Sequence, residues 1–118
     1  MFTNLTTIII PTRNRSKKIN NLLLFFKKNK LKFNQILIVD SSDDKNKNYN
    51  HNLLNRLKVK IINTYPSSSH QRNLGLKMVY KSSKYVLFLD DDICFYRNSF
   101  LKMDKVLKQY NNINNLAG

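Results

Sequence analysis

"YVLFLDDDICF", residues 85–95, runs five hydrophobic residues directly into three aspartates. The chain carries seven acidic residues and no glutamate, so three of them side by side need a reason. Adjacent carboxylates raise one another's pKa and persist where a cation or a proton relieves them. A hydrophobic strand that opens into such a cluster predicts a positive ligand at its carboxyl end. It also predicts that the rest of the chain is built to cover that strand.

The flanking sequence fits that expectation. "TTIII" (6–10) reads as a first strand closed by Pro11, which has no N–H to continue a ladder. Ser16 is a candidate cap for a helix over 17–29, where Ile19, Leu22, Leu23 and Phe26 recur at i, i+3, i+4 and i+7. "QILIVD" (35–40) has the apolar interior of a strand covered on both faces. A helix over about 48–57 would turn Tyr49, Leu53, Leu54 and Leu57 inward, and "VKIINTY" (59–65) is a third strand. A helix over about 69–81 would bury Leu74, Met78 and Val79; after the fourth strand (85–89), a last helix over about 99–110 carries Phe100, Met103, Leu107 and Tyr110. Strands alternating with helices predict an α/β fold, a Rossmann-like, mostly parallel sheet with flanking helices, as one domain over residues 1–118.

Composition sets the setting. Twenty-one Lys and Arg against seven Asp give a net charge of +14, which attracts phosphates and other polyanions. The abundance of Asn, Lys, Ile, Phe and Tyr matches AT-rich codons, so much of the lysine excess reads as solvated surface rather than a dedicated nucleic-acid site. Cys94 is alone and lies in an apolar stretch, where a small buried hydrophobe is expected, and its solitude suits a reducing compartment. No apolar run reaches the roughly 18 residues of a membrane span and the start lacks a signal-peptide pattern, which points to the cytoplasm. "KKNKLK" (27–32) could touch an anionic membrane surface, though a solvated helix end accounts for it as well.

In open α/β sheets ligands bind beyond the carboxyl ends of the strands. The residues to read are therefore "PTRNR" after the first strand, "DSSDD" after the second, "YPSSSHQRN" after the third and "DDD" after the fourth. Asp90, Asp91 and Asp92 suit Mg²⁺ or Mn²⁺, which take oxygen ligands and leave room for substrate phosphates. Arg13, Arg15 and Arg72 at the same edge suit those phosphates. Asp40 could accept from a ribose hydroxyl or a base edge, or make an ordinary Asx turn. Asp43 and Asp44 read as solvated loop charges, and Gly75 would let backbone approach closely. His51 and His70 have no ligand spacing.

Taken together these stretches resemble the family 2 glycosyltransferases of the GT-A fold. "IIIPTRNR" is similar to the family's first-strand nucleotide motif, "ILIVDSSDD" to its second, "SSHQRNLGL" to its Arg-containing helix start and "YVLFLDDDICF" to its DxD segment. The resemblance implies a nucleotide-diphospho-sugar donor, with Pro11 and Arg13 bordering the base, Thr12 and Asn14 shaping that loop, and Asp40 binding the base. It implies Arg72 near the base or diphosphate, Asp90 and Asp91 near the ribose, and Asp92, with Asp90, on a Mn²⁺ or Mg²⁺ ion. The acceptor, a glycan, lipid-linked or protein group, is not readable.

The family's catalytic base lies in a later, acceptor-binding half, and after Asp92 the only acidic residue is Asp104, which reads as a surface charge beside lysines. The expectation is a donor-binding part of a truncated domain, with a non-catalytic nucleotide-binding remnant as the alternative. A haloacid-dehalogenase-like phosphatase also runs a strand into D-x-D, but near its N-terminus and followed by a Thr or Val where this chain has Cys94. Sugar-nucleotide-forming nucleotidyltransferases begin with a Gly-rich loop, and "PTRNRSKK" has no glycine. A nucleic-acid-binding module would concentrate its basic residues on one aromatic-studded face.

Overall fold

The computed structural model describes residues 1–96 and 98–117. Four strands, β1 (Thr6–Thr12), β2 (Gln35–Asp40), β3 (Val59–Asn63) and β4 (Tyr85–Phe88), form one parallel sheet in the order β3-β2-β1-β4. The helices are α1 (Ser16–Lys28), α2 (His51–Arg56), α3 (Ser68–Lys77) and α4 (Ser99–Ala117), with 3₁₀ turns at Phe2–Leu5 and Asp44–Asn46. The chain leaves β1 toward β2 and β3, then returns to β1's other side as β4. This reversal makes the carboxyl end of β1, beside β4, the switch point of the sheet.

Both faces of the central strands β1 and β2 are covered, as their apolar sequences require, whereas Val86 and Phe88 of β4 stay exposed. On one face Ile8, Ile10, Ile36 and Ile38 pack with Ile19, Leu22, Leu23 and Phe26 of α1, Leu53 and Leu54 of α2, and Phe100. Each such fully buried side chain stabilises the fold by about 1.5–3 kcal/mol. On the other face Ile9, Leu37 and Val39 meet Leu74 and Val79.

There α3 approaches the sheet closely. A Cβ built on Gly75 would lie 2.7 Å from Ile9 Cγ2, and Ile9 is fully buried and branched at Cβ. Gly75→Ala should therefore destabilise the fold by about 1–2 kcal/mol in a denaturant titration, overpacking outweighing the roughly 1 kcal/mol gained in helix propensity.

Several boundaries differ from expectation for local reasons. β1 continues through Pro11 to Thr12, pairing Pro11 with Val39. Leu89 N–H donates to Ile9 O, so the position of Pro11's missing N–H faces the β4 side, and β4 ends at Phe88. No donor is missed. Ser16 is the first residue of α1 rather than its cap, Arg15 standing at that position. Asn50 caps α2 by accepting from Leu53 N–H at 3.2 Å, which starts the helix late and leaves Tyr49 outside it. β3 stops at Asn63 and α3 at Lys77, so Met78 is exposed at the helix end instead of buried. On α4 it is Asn111, donating to Tyr85 OH at 3.3 Å, and not the exposed Tyr110, that turns toward the sheet.

Cys94 is exposed. The segment after the aspartates runs along α1, held by Phe95 stacked on Phe25 at 5.7 Å, and turns the thiol outward. Asp104 is buried, accepting from Phe2 N–H at 2.8 Å and pairing with Lys108 at 3.1 Å. The backbone bond and the lysine lower its pKa. Among the described residues no helix is long and apolar enough to cross a membrane.

Candidate functional site

The carboxyl edge is assembled by three loops that bind one another. At the switch point, Thr12 Oγ1 donates to Asp91 Oδ2 at 2.7 Å and Arg15 Nη1 donates to Asp91 Oδ1 at 3.1 Å. Arg15 also lies 3.9 Å from Asp92. The three aspartates thus divide. Asp91 is buried and engaged on both oxygens, Asp92 keeps 57% of its side chain exposed, and Asp90 is exposed. The turn is closed by Ile93 N–H donating to Asp90 O at 3.2 Å.

Beside it, the loop after β1 is latched to the loop after β2. Arg13 Nη1 donates to Ser41 O at 2.6 Å, and Asn14 N–H to Ser42 Oγ at 2.7 Å. Asn14 Nδ2 donates to Asp43 Oδ2 at 3.2 Å while Asp43 N–H donates to Asn14 Oδ1 at 2.9 Å. Asn14 has φ 55°, a left-handed conformation that Asn tolerates better than most residues. Asp43, expected as a solvated charge, is a partner of this latch, and it lies 3.8 Å from Arg13. Asp44 pairs with Lys47 at the surface.

Asp40 lies beneath the latch. It is fully buried, accepting from Ser42 N–H and from Tyr49 OH, both at 2.8 Å. Burial and the neighbouring Asp40 carboxylate push the Tyr49 phenol's pKa far above its ordinary 10.0. A pKa raised on folding means that this stability is complete below pH 10 and is lost as pH rises above it. Wild-type stability should fall above pH 10 by roughly 1 kcal/mol per pH unit more than that of Tyr49→Phe, measured by denaturant titrations across that range.

One organising residue escapes a reading of charges and motifs. Gln71, in the first turn of α3, is buried and donates through Nε2 to Val39 O at 2.8 Å and Thr12 O at 3.2 Å. Its Oε1 accepts from Ser67 N–H at 3.3 Å and Ser41 Oγ at 3.4 Å. It ties the ends of β1 and β2 to the start of α3. The signal available in the sequence was its place four residues after the helix cap Ser67. Its neighbour Arg72 is exposed on the same turn. His70 Nε2 lies 3.1 Å from Thr64 Oγ1, with its ring stacked on Tyr65 at 4.2 Å.

Thr12, Arg13, Asn14, Asp40, Asp91 and Asp92 are therefore brought together in one bonded network; Pro11 lies within it on β1. Arg72 and Asp90 border it without a side-chain bond among the described residues. A recess of about 240 Å³ beside Asp91 and Asp92 is lined by Lys18, Phe25 and Cys94. The edge joins open carboxylates to guanidinium groups, an arrangement that can hold an anion and a hard cation together.

Comparison with known proteins places this edge in a family. No curated protein matches the sequence. The crystal structure of S. aureus TarS is similar to this chain with a TM-score of 0.71 and 24% identity, over 90% of this chain and 20% of that one. The likeness is one of fold, and the chain spans about a fifth of that protein's length. The family model described as glycosyl transferase family 2 matches residues 7–117, from the first strand to the last helix and across all the loops of the carboxyl edge, and the chain belongs to that family.

Proposed function

We propose that this chain binds the nucleotide-diphospho-sugar donor of a glycosyl transfer at the carboxyl edge of its sheet. The observation that carries the reading is the division of labour among the aspartates: Asp91 joins the β1 and β4 loops through Thr12 and Arg15, leaving Asp92 open beside a guanidinium. Pro11, Arg13 and Asn14 border the nucleoside, the latch to residues 41–43 holding them in place. Asp40 acts from below through Ser42, and Asp90 and Arg72 border the ribose and diphosphate.

Among the described residues no three carboxylates, histidines or cysteines converge as a metal cage. An exposed Asp92 with Asp90 still fits Mn²⁺ or Mg²⁺, which use one or two carboxylates and fill the remaining positions with water and substrate phosphates. When bound, such an ion would supply electrostatic stabilisation to the departing diphosphate. Arg15 holds positive charge beside that position, where negative charge develops as the nucleoside diphosphate leaves.

Asp104 is committed to Phe2 and Lys108, so no carboxylate of this chain is assigned as catalytic base. We place the base and the acceptor site outside it, and its setting in the cytoplasm. Calorimetric titration of UDP, GDP and CDP and their sugar conjugates, with and without Mn²⁺, tests the reading. Metal-dependent binding of one nucleotide supports it. Failure of every nucleotide to bind the folded chain overturns it.

A further inference from the structure

Six of the seven aspartates lie at the carboxyl edge, Asp40 ending β2 and the others in its loops, and the seventh, Asp104, is tied to Phe2 and Lys108. The opposite edge is almost purely basic. There the end of α1, the Phe2–Leu5 turn and the start of α4 enclose an open groove of about 1000 Å³. Lys28, Lys30, Lys32 and Met1 line it together with Tyr96 and Leu101, and no carboxylate does so among the described residues.

Two properties of this groove coincide. The lysines give it a positive charge that no carboxylate in its lining offsets. Tyr96 is 84% exposed and Leu101 56% exposed, and Met1 and Leu5 are exposed nearby. Large apolar side chains in water beside a lysine cluster are the features of a surface that meets anionic headgroups and inserts side chains among them.

We infer that the amino edge of the sheet is a docking surface for an anionic phospholipid bilayer, with Lys28, Lys30 and Lys32 on headgroup phosphates and Tyr96 and Leu101 entering the interface. Nucleic acid would share the lysines but would leave Leu101 and Met1 without a partner. In this orientation the carboxyl edge faces away from the bilayer. The inference is independent of the sugar-nucleotide reading, since it uses none of the same residues.

The test is sedimentation of the full chain with phosphatidylcholine vesicles, with or without phosphatidylglycerol. The chain has no tryptophan, so Tyr96→Trp supplies a single reporter. The wild type should pellet with the anionic vesicles only, and Trp emission in the reporter variant should shift to the blue on binding. Lys28→Glu/Lys30→Glu/Lys32→Glu should weaken partitioning by about a hundredfold or more, at about fivefold per lysine. Lys17→Glu/Lys45→Glu/Lys47→Glu, the same charge change at the start of α1 and in the loop after β2, toward the carboxyl edge, should weaken it much less.

Equal loss in the two triple variants would reduce the effect to net charge and overturn the inference. So would absence of pelleting, or binding with no blue shift. Tight binding of a single-stranded oligonucleotide through the same lysines, with no vesicle binding, would make the groove a nucleic-acid surface instead.

Discussion

Gln71→Met should lower stability by about 2–4 kcal/mol and weaken whatever the carboxyl edge binds. Met matches the length of Gln but has no amide. The substitution removes the donors to Val39 O and Thr12 O in a buried setting and the acceptor for Ser67 N–H in a part-buried one. Each buried group left unpaired costs about 1–3 kcal/mol. The upper end is moderated because Thr12 O still accepts from Ser41 N–H at 3.0 Å. For a chain of this size the loss corresponds to roughly 10 °C in Tm. A purely peripheral Gln71 would leave Tm unchanged, and thermal unfolding by circular dichroism decides the matter.

The second large effect separates neighbouring aspartates. Asp92→Asn should leave Tm within about 1 °C of wild type, because an exposed carboxylate contributes little to folding. It should weaken Mn²⁺-dependent nucleotide binding on the order of a hundredfold, since even groups that only orient a metal ligand cost 10–100-fold when removed. Asp91→Ala should do both: it leaves the buried Thr12 hydroxyl unpaired, costing about 1–3 kcal/mol, and it frees the β1 loop from the β4 loop. Calorimetry and thermal unfolding on the same samples distinguish the two. Identical stability losses for both variants would contradict the division between Asp91 and Asp92.

How far these features could be read from sequence depends on the kind of interaction. The apolar periodicity of α1 and the alternation of strands and helices follow from local pattern, and the four loops follow from the rule that sites lie at carboxyl ends. Ile19, Leu22, Leu23 and Phe26 are buried as their spacing indicates. The division of Asp90, Asp91 and Asp92 is not local: it depends on Thr12 and Arg15 lying across the switch point. Tyr49 misleads because its periodicity matches a helix, while its hydroxyl is drawn to Asp40 and Asn50 caps the helix behind it. Gln71 is silent because an uncharged amide serving backbone carbonyls leaves no pattern until the strand ends are brought together. Asp104 reads as a surface charge because its partner, the Phe2 N–H, is 102 residues away.

The central position of β1 has a consequence for how the chain is made. It is made before both of its partners, and they arrive at very different times: β2 ends at residue 40, whereas β4 begins only at residue 85. At about 5–20 residues per second a ribosome takes on the order of 2–10 s to cover that interval. Throughout it, one flank of β1 is an unpaired edge bearing three consecutive isoleucines, a template for pairing between nascent chains. The Phe2–Asp104 bond can form only after most of α4's first half has emerged. Final closure therefore waits until residue 104 has emerged, and the yield of folded protein should depend on chaperone capacity more than the size of this fold would suggest.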